Sequence, residues 1–188
     1  MKKHLLIFLM IPFGLYAQTE IEFINHPYYK GHPMEKHTAK LSVKVRAMGY
    51  GGADSYLQIR GNKSKLNIPD SDSVYFQIKM DRAIIGNLSL YKSEITNNAR
   101  RVKYYRQRTF SGAELGGDPI SYNVSDEGNG IYKIVPSSGL EDGEYMFIIQ
   151  GLSSGMGDAF PFSVGKVADD GVKSKRAKKK GFDDVYGR

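Results

Sequence analysis

Cysteine is absent from the 188-residue chain. That excludes a disulfide framework and a Cys nucleophile. An oxidising compartment is tolerated but not exploited, so stability must come from packing. After the N-terminus no apolar stretch reaches the roughly eighteen residues that mark a spanning helix. No segment carries a long 3.6-residue apolar period, so no substantial helix is expected. Histidine is scarce: beyond His4 it occurs only at His26, His32 and His37, so a Ser-His-Asp arrangement would have to recruit that one segment. There is no G-x-S-x-G elbow, H-E-x-x-H pair or phosphate loop. The glycines of Gly49-Tyr50-Gly51-Gly52 precede neither a helix pattern nor a Lys-Ser/Thr pair. A glycosidase's two carboxylates remain open from sequence. Nothing calls for a cofactor, and the chain reads as non-enzymatic.

What is present begins with Met1-Lys2-Lys3-His4, a charged start, then the apolar run Leu5–Ile11 and a small residue at Ala17. This pattern is that of a secretory signal peptide over 1–17, with Gln18 as the mature N-terminus. No Cys follows the run, so no lipid anchor on an N-terminal Cys is expected. The reading is export, to a periplasm or exterior. Three sequons, at Asn62, Asn87 and Asn123, matter only in a eukaryotic secretory pathway; the short leader and the absent cysteines favour a bacterial envelope.

The net charge of +7 is local. Residues 173–188 hold seven Lys/Arg against Asp183 and Asp184, whereas 18–172 holds 18 basic and 18 acidic residues. The body is neutral. The run Lys173-Ser174-Lys175-Arg176-Ala177-Lys178-Lys179-Lys180 is too polar to bury a core, so a disordered tail is expected. It would dock electrostatically on an acidic surface such as anionic lipid, and Phe182, Val185 and Tyr186 could order on a partner.

Residues 18–172 read as one all-β domain. Ala39, Leu41, Val43, Val45 and Ala47 alternate with Lys40, Ser42, Lys44 and Arg46, the pattern of a strand with one face buried and one wet. Short strands are expected at 19–24, 56–60, 65–68, 74–80, 84–91, 120–124, 131–135, 145–150 and 159–164. Pro69-Asp70-Ser71-Asp72 reads as a turn, since its D-x-D lacks the Gly and distal Glu of a calcium loop. Pro161 places the last strand at an edge or bulge. Roughly ten strands with regular turn signals describe an antiparallel β-sandwich, with extra strands or long loops within 85–120.

Leu140-Glu141-Asp142-Gly143-Glu144-Tyr145-Met146-Phe147 gives this sandwich a type. Asp142-Gly143 supplies a turn, and Tyr145 can bury its ring while its hydroxyl finds a backbone carbonyl. The L-x-D-G-x-Y-x-F pattern resembles the tyrosine corner of immunoglobulin-like and fibronectin-type sandwiches. The resemblance implies a single Ig-like sandwich with Gly143, Tyr145 and Phe147 as structural residues. The longer G-x-Y-x-I-x-P-x-x-x-L-x-x-G-E-Y-x-F run resembles small exported bacterial β-sandwich domains, to which no activity is generally attached.

Two further clusters have a functional reading. His26, His32 and His37, with Met34 and Glu35, would suit zinc, copper or nickel; their alternative is a polar loop with solvated histidines. Arg100, Arg101, Lys103, Arg106 and Arg108, interleaved with Tyr104 and Tyr105, would suit an acidic glycan, lipid head group or single-stranded nucleic acid. Their alternative is an edge strand guarded by cations. The expectation is an exported, non-catalytic binding or interaction protein whose partner is a protein or envelope component. An acidic-polymer binder, using 100–108 with Lys175, Arg176, Lys178, Lys179 and Lys180, and a metal binder are the alternatives.

Overall fold

A computed structural model describes residues 21–45, 52–69, 74–96, 98–108, 112–150 and 156–166. The expected leader, the tail with Lys175–Lys180, and Asp70 and Asp72 lie outside them. The strands are β1 (His26–Tyr29), β2 (His32–Pro33), β3 (His37–Val45), β4 (Ala53–Arg60), β5 (Asn67–Ile68), β6 (Phe76–Lys79), β7 (Leu88–Lys92), β8 (Glu94–Thr96), β9 (Ala99–Arg108), β10 (Gly112–Leu115), β11 (Tyr122–Gly128), β12 (Ile131–Pro136), β13 (Gly143–Gln150) and β14 (Met156–Val164). The described residues hold one helical segment, the 3-10 helix Arg82–Asn87.

Two sheets make an all-β sandwich. The smaller has the order β11-β12-β6-β1-β2; the larger runs β10-β9-β4-β3-β14-β13-β7, with β5 added to β14 and β8 to β9. All these strand pairs are antiparallel except β5 with β14. Between the sheets lie Phe76, Phe147, Phe160, Phe162, Ile78, Ile134 and Leu90, none of them exposed. Phe76 meets Phe147 edge-on at 4.8 Å. Burying each such side chain contributes about 1.5–3 kcal/mol.

The larger sheet closes on itself. β7 pairs with β13, and after Ser93 the same run of chain, as β8, pairs with β9. The Ser93 N–H donates to the Glu144 carbonyl at 2.8 Å, carrying the β13 contact past the end of β7. The pairings β9-β4-β3-β14-β13-β7/β8-β9 therefore form a ring of six strands. Within it sits a second apolar cluster: Ala39, Leu57, Ile59, Val102, Met146, Ile148 and Ala159. Strand β13 faces both cores, Tyr145 and Phe147 one way, Met146 and Ile148 the other. That explains why it is nearly continuously apolar where β3 alternates.

Four local expectations change. Thr19–Ile24 was expected as a strand; of its described part only Ile24 pairs, as a single bridge to Lys79. The histidine segment forms a hairpin, β1–β2, turning at Lys30 and Gly31 with φ of 47° and 78°. Ile84 and Ile85 belong to the 3-10 turn instead of a strand, because the Asp81 carboxylate caps it by accepting from the Ala83 N–H at 2.9 Å. Pro161 lies in an interior strand. β14 pairs β3 up to Ala159 and β5 from Ser163, so proline occupies the gap between two neighbours. The N–H groups of Ser163 and Gly165 point to the β5 side; strand alternation puts position 161 on that side too, so proline removes no ladder bond.

Candidate binding surface

The five cations of β9 are not an edge guard, because β9 is paired on both sides: with β4 along its length, and with β8 and then β10 on the other side. Nor do they share one face. Arg100 points into the ring beside Ile59 and Ile95 and is 2% exposed. Its Nη1 lies 3.2 Å from Glu144 Oε2 on β13, across the ring. The same Nη1 bonds Ser64 Oγ, Nε donates to the Gly61 carbonyl at 3.1 Å, and the Ser64 N–H donates to Glu144 Oε1 at 3.1 Å. Arg100 therefore does not present to a ligand. It locks β9 and the 61–64 loop to β13 in a buried, hydrogen-bonded ion pair.

A β-bulge then resets the alternation. Tyr56 pairs with Lys103 but Ser55 pairs with Tyr105, so Tyr104 is the extra residue. In consequence Arg101, Lys103 and Arg106 all share the outer face of the ring, in rows with Gln58, Tyr56 and Asp54 of β4 and Lys40, Ser42 and Lys44 of β3. The Arg101 guanidinium lies 4.2 Å from the Tyr56 ring centroid. Arg101 also reaches Glu94 at 3.1 Å, Lys103 and Arg106 reach Asp54 at 3.9 and 3.5 Å, and Arg108 reaches Glu114 at 3.5 Å. Every cation of β9 thus has a carboxylate within 4 Å, which weakens the field the strand offers to an anion.

The other side of the same strands is different. The register puts Leu41, Val43 and Val45 on the inner face with Leu57, Ser55 and Ala53. Past Ala39 and Leu57 this face loses its cover: Leu41 is 47%, Val43 56%, Val45 67% and Tyr105 40% exposed. The alternation of β3 is as expected, but its apolar side is open from Leu41 onward. Among the described residues the β14 ladder on β3 ends at Met156 opposite Lys40, while β3 and β4 stay paired to Val45 opposite Ala53. The result is a projecting lip of β3, β4, β9 and β10, apolar within and cationic without.

The histidines are kept apart. His26 Nε2 donates to the Met34 carbonyl at 2.6 Å and its ring meets Phe160 edge-on. His32 is exposed on β2. His37 Nε2 lies 3.5 Å from Glu35 Oε2; a bond donated by Lys65 holds the Glu35 carboxyl below its usual range. Among the described residues no three His, Asp or Glu side chains converge on a cation site.

Gly143, Tyr145 and Phe147 all lie on β13. Gly143 opens β13 opposite Val164. Tyr145 is 2% exposed, stacks on Phe162 at 5.5 Å, and donates its hydroxyl to the Glu141 carbonyl at 2.8 Å. Phe147 fills the inter-sheet core. The sequence reading missed Glu144 and Ser64, which hold Arg100, and Tyr56, which carries Arg101.

No protein-family model, no curated protein and no solved structure matches this chain.

Proposed function

We propose that this chain is an exported, non-catalytic binding protein that docks a protein partner on the inner face of its lip. The observation that carries the reading is the row Leu41, Val43 and Val45, left about half exposed on a strand whose earlier inner-face residue, Ala39, is fully buried. Contiguous apolar side chains on an otherwise charged surface are characteristic of protein contact sites. The signal-like leader supports export, and the thin catalytic inventory of the sequence supports binding over turnover. The corner bond from Tyr145 to Glu141 supports an Ig-like type for the sandwich.

The test is the double substitution Leu41→Glu/Val43→Glu. Both sites are solvent-accessible, so the melting temperature should hold while crosslinking to the partner in an envelope fraction is lost. Undiminished crosslinking would sink the reading. A second reading, binding of an acidic polymer on the outer face, is favoured by the Arg101–Tyr56 stack beside Lys40 and Lys44. Heparin retention that weakens steeply with salt, and weakens further in Lys40→Glu/Lys44→Glu, would support it.

A further inference from the structure

We propose that β3 receives its partner as an added strand: an extended segment of another protein, alternating apolar and acidic residues, pairs antiparallel or parallel with the outer edge of Leu41–Val45. This rests on the lip being the docking surface and specifies how it is used. Three observations carry it.

The first is the open edge. β14 pairs β3 at His37–Lys40, and β4 covers the opposite edge as far as Val45. Among the described residues no strand pairs the side of Leu41–Val45 that faces away from β4. In a ladder, alternate residues direct both N–H and C=O to one side, so this edge presents backbone groups in the array that strand addition uses.

The second is the difference between the two faces at that edge. An added strand sets alternate side chains beside Leu41, Val43 and Val45 on the inner face, and the others beside Lys40, Ser42 and Lys44 on the outer face. The first set must be apolar. The second meets Lys40 and Lys44, which, unlike the cations of β9, have no carboxylate within 4 Å among the described residues, although Asp54 faces Lys44 across the β3–β4 ladder. Acidic residues fit there.

The third is the mismatch of a second copy. Antiparallel self-pairing centred on Val43 would oppose Leu41 to Val45 and match the apolar rows, but it would gather Lys40 and Lys44 of both copies on one face with no added anion. Edge lysines are a common guard against such pairing. Here they reject the chain's own edge and admit an acidic one, so that one pair of charges sets both exclusion and preference.

The experiment uses the mature chain, residues 18–188, and labelled nonapeptides, read by fluorescence anisotropy. One peptide alternates Val and Glu, one alternates Val and Lys, and one carries the Val/Glu composition in two blocks. The Val/Glu alternation should bind at least about tenfold tighter than either other peptide, and Lys40→Glu/Lys44→Glu should reverse the preference between Glu and Lys. N-methylation of alternate residues tests backbone pairing: methyl groups in one phase should abolish binding and in the other phase leave it intact. Equal binding of the acidic and basic peptides, equal tolerance of both methylation phases, or a dimer of the free chain that Val43→Glu dissolves would each overturn the proposal. Loss of partner crosslinking in Leu41→Glu/Val43→Glu with no peptide discrimination would keep the lip as the docking surface and remove strand addition alone.

Discussion

At Tyr145 a half-turn of sequence closes on itself: the ring stacks on Phe162 while the hydroxyl reaches back four residues to the Glu141 carbonyl. Removing the hydroxyl leaves that carbonyl short of a partner, so Tyr145→Phe should cost about 1 kcal/mol, seen as a lower urea midpoint at unchanged slope. Burial also raises the phenol's pKa above its usual value, as it does for Tyr91 and Tyr122. A raised folded-state value means that the neutral phenol is favoured in the folded chain. That stability is complete below about pH 10, the ordinary tyrosine value, and is lost as pH rises through the folded one. The melting temperature should fall on the alkaline side, less steeply in Tyr145→Phe. Arg100 makes the opposite case for reading sequence. Tyr145 was legible because its partner is four residues away, whereas Arg100 finds Glu144 at a separation of 44 and Ser64 at 36. In sequence it was one more cation in a basic run. Arg100→Met or Glu144→Gln alone should cost about 3–5 kcal/mol, each leaving a buried group unmatched, and the double variant should cost less than the sum. A denaturation double-mutant cycle measures the coupling.

Strand β9 shows what alternation conveys and what it misses. A regular strand would put Arg101, Lys103 and Tyr105 on one face and Arg100, Arg106 and Arg108 on the other. The bulge at Tyr104 instead unites Arg101, Lys103 and Arg106 on the outer face and turns Tyr105 inward. A bulge depends on what the facing strand offers, so no local pattern announces it. In β3 the two faces were plain from the sequence, but whether anything covers the apolar one depends on tertiary neighbours, and Leu41, Val43 and Val45 are exposed. Gly52 marks the place where β4 begins beneath β9. Its φ is +80°, and a Cβ there would run into the Gln107 carbonyl. Gly52→Ala should therefore destabilise by more than about 1 kcal/mol, whereas Gly139→Ala, with nothing within 4 Å of the added carbon, should stay within about 0.5 kcal/mol. Thermal melts of the two variants side by side separate backbone strain from a generic effect of losing glycine.

Across the molecule, the two sheets follow from short alternating strands, but the ring does not. Closing it requires that the stretch after Lys92 fold as a hairpin, β8 against β9, and that one run of chain serve two neighbours on either side of Ser93. From sequence this stretch fell within the extra strands or long loops expected over 85–120, with no signal for a hairpin. The ring separates stability from contact. Met146 and Ile148 lie inside it, unexposed, with strands on both sides of β13, while Leu41, Val43 and Val45 lie past the last described β14 pairing, at Lys40, and are exposed. Local opening free energy tracks burial and pairing. Amides of Met146–Ile148 should thus exchange with solvent near the global unfolding limit. Within Leu41–Val45, protection should alternate: the N–H groups directed at β4 are held, and those on the open edge exchange orders of magnitude faster. Amide exchange followed by NMR resolves the two sets. Adding the alternating Val/Glu peptide should then slow the fast set and leave the β4-facing set unchanged, because a new strand satisfies only the edge it joins. Uniformly high protection from Leu41 to Val45 in the free chain would show that edge already occupied, and the lip would have no strand position to offer.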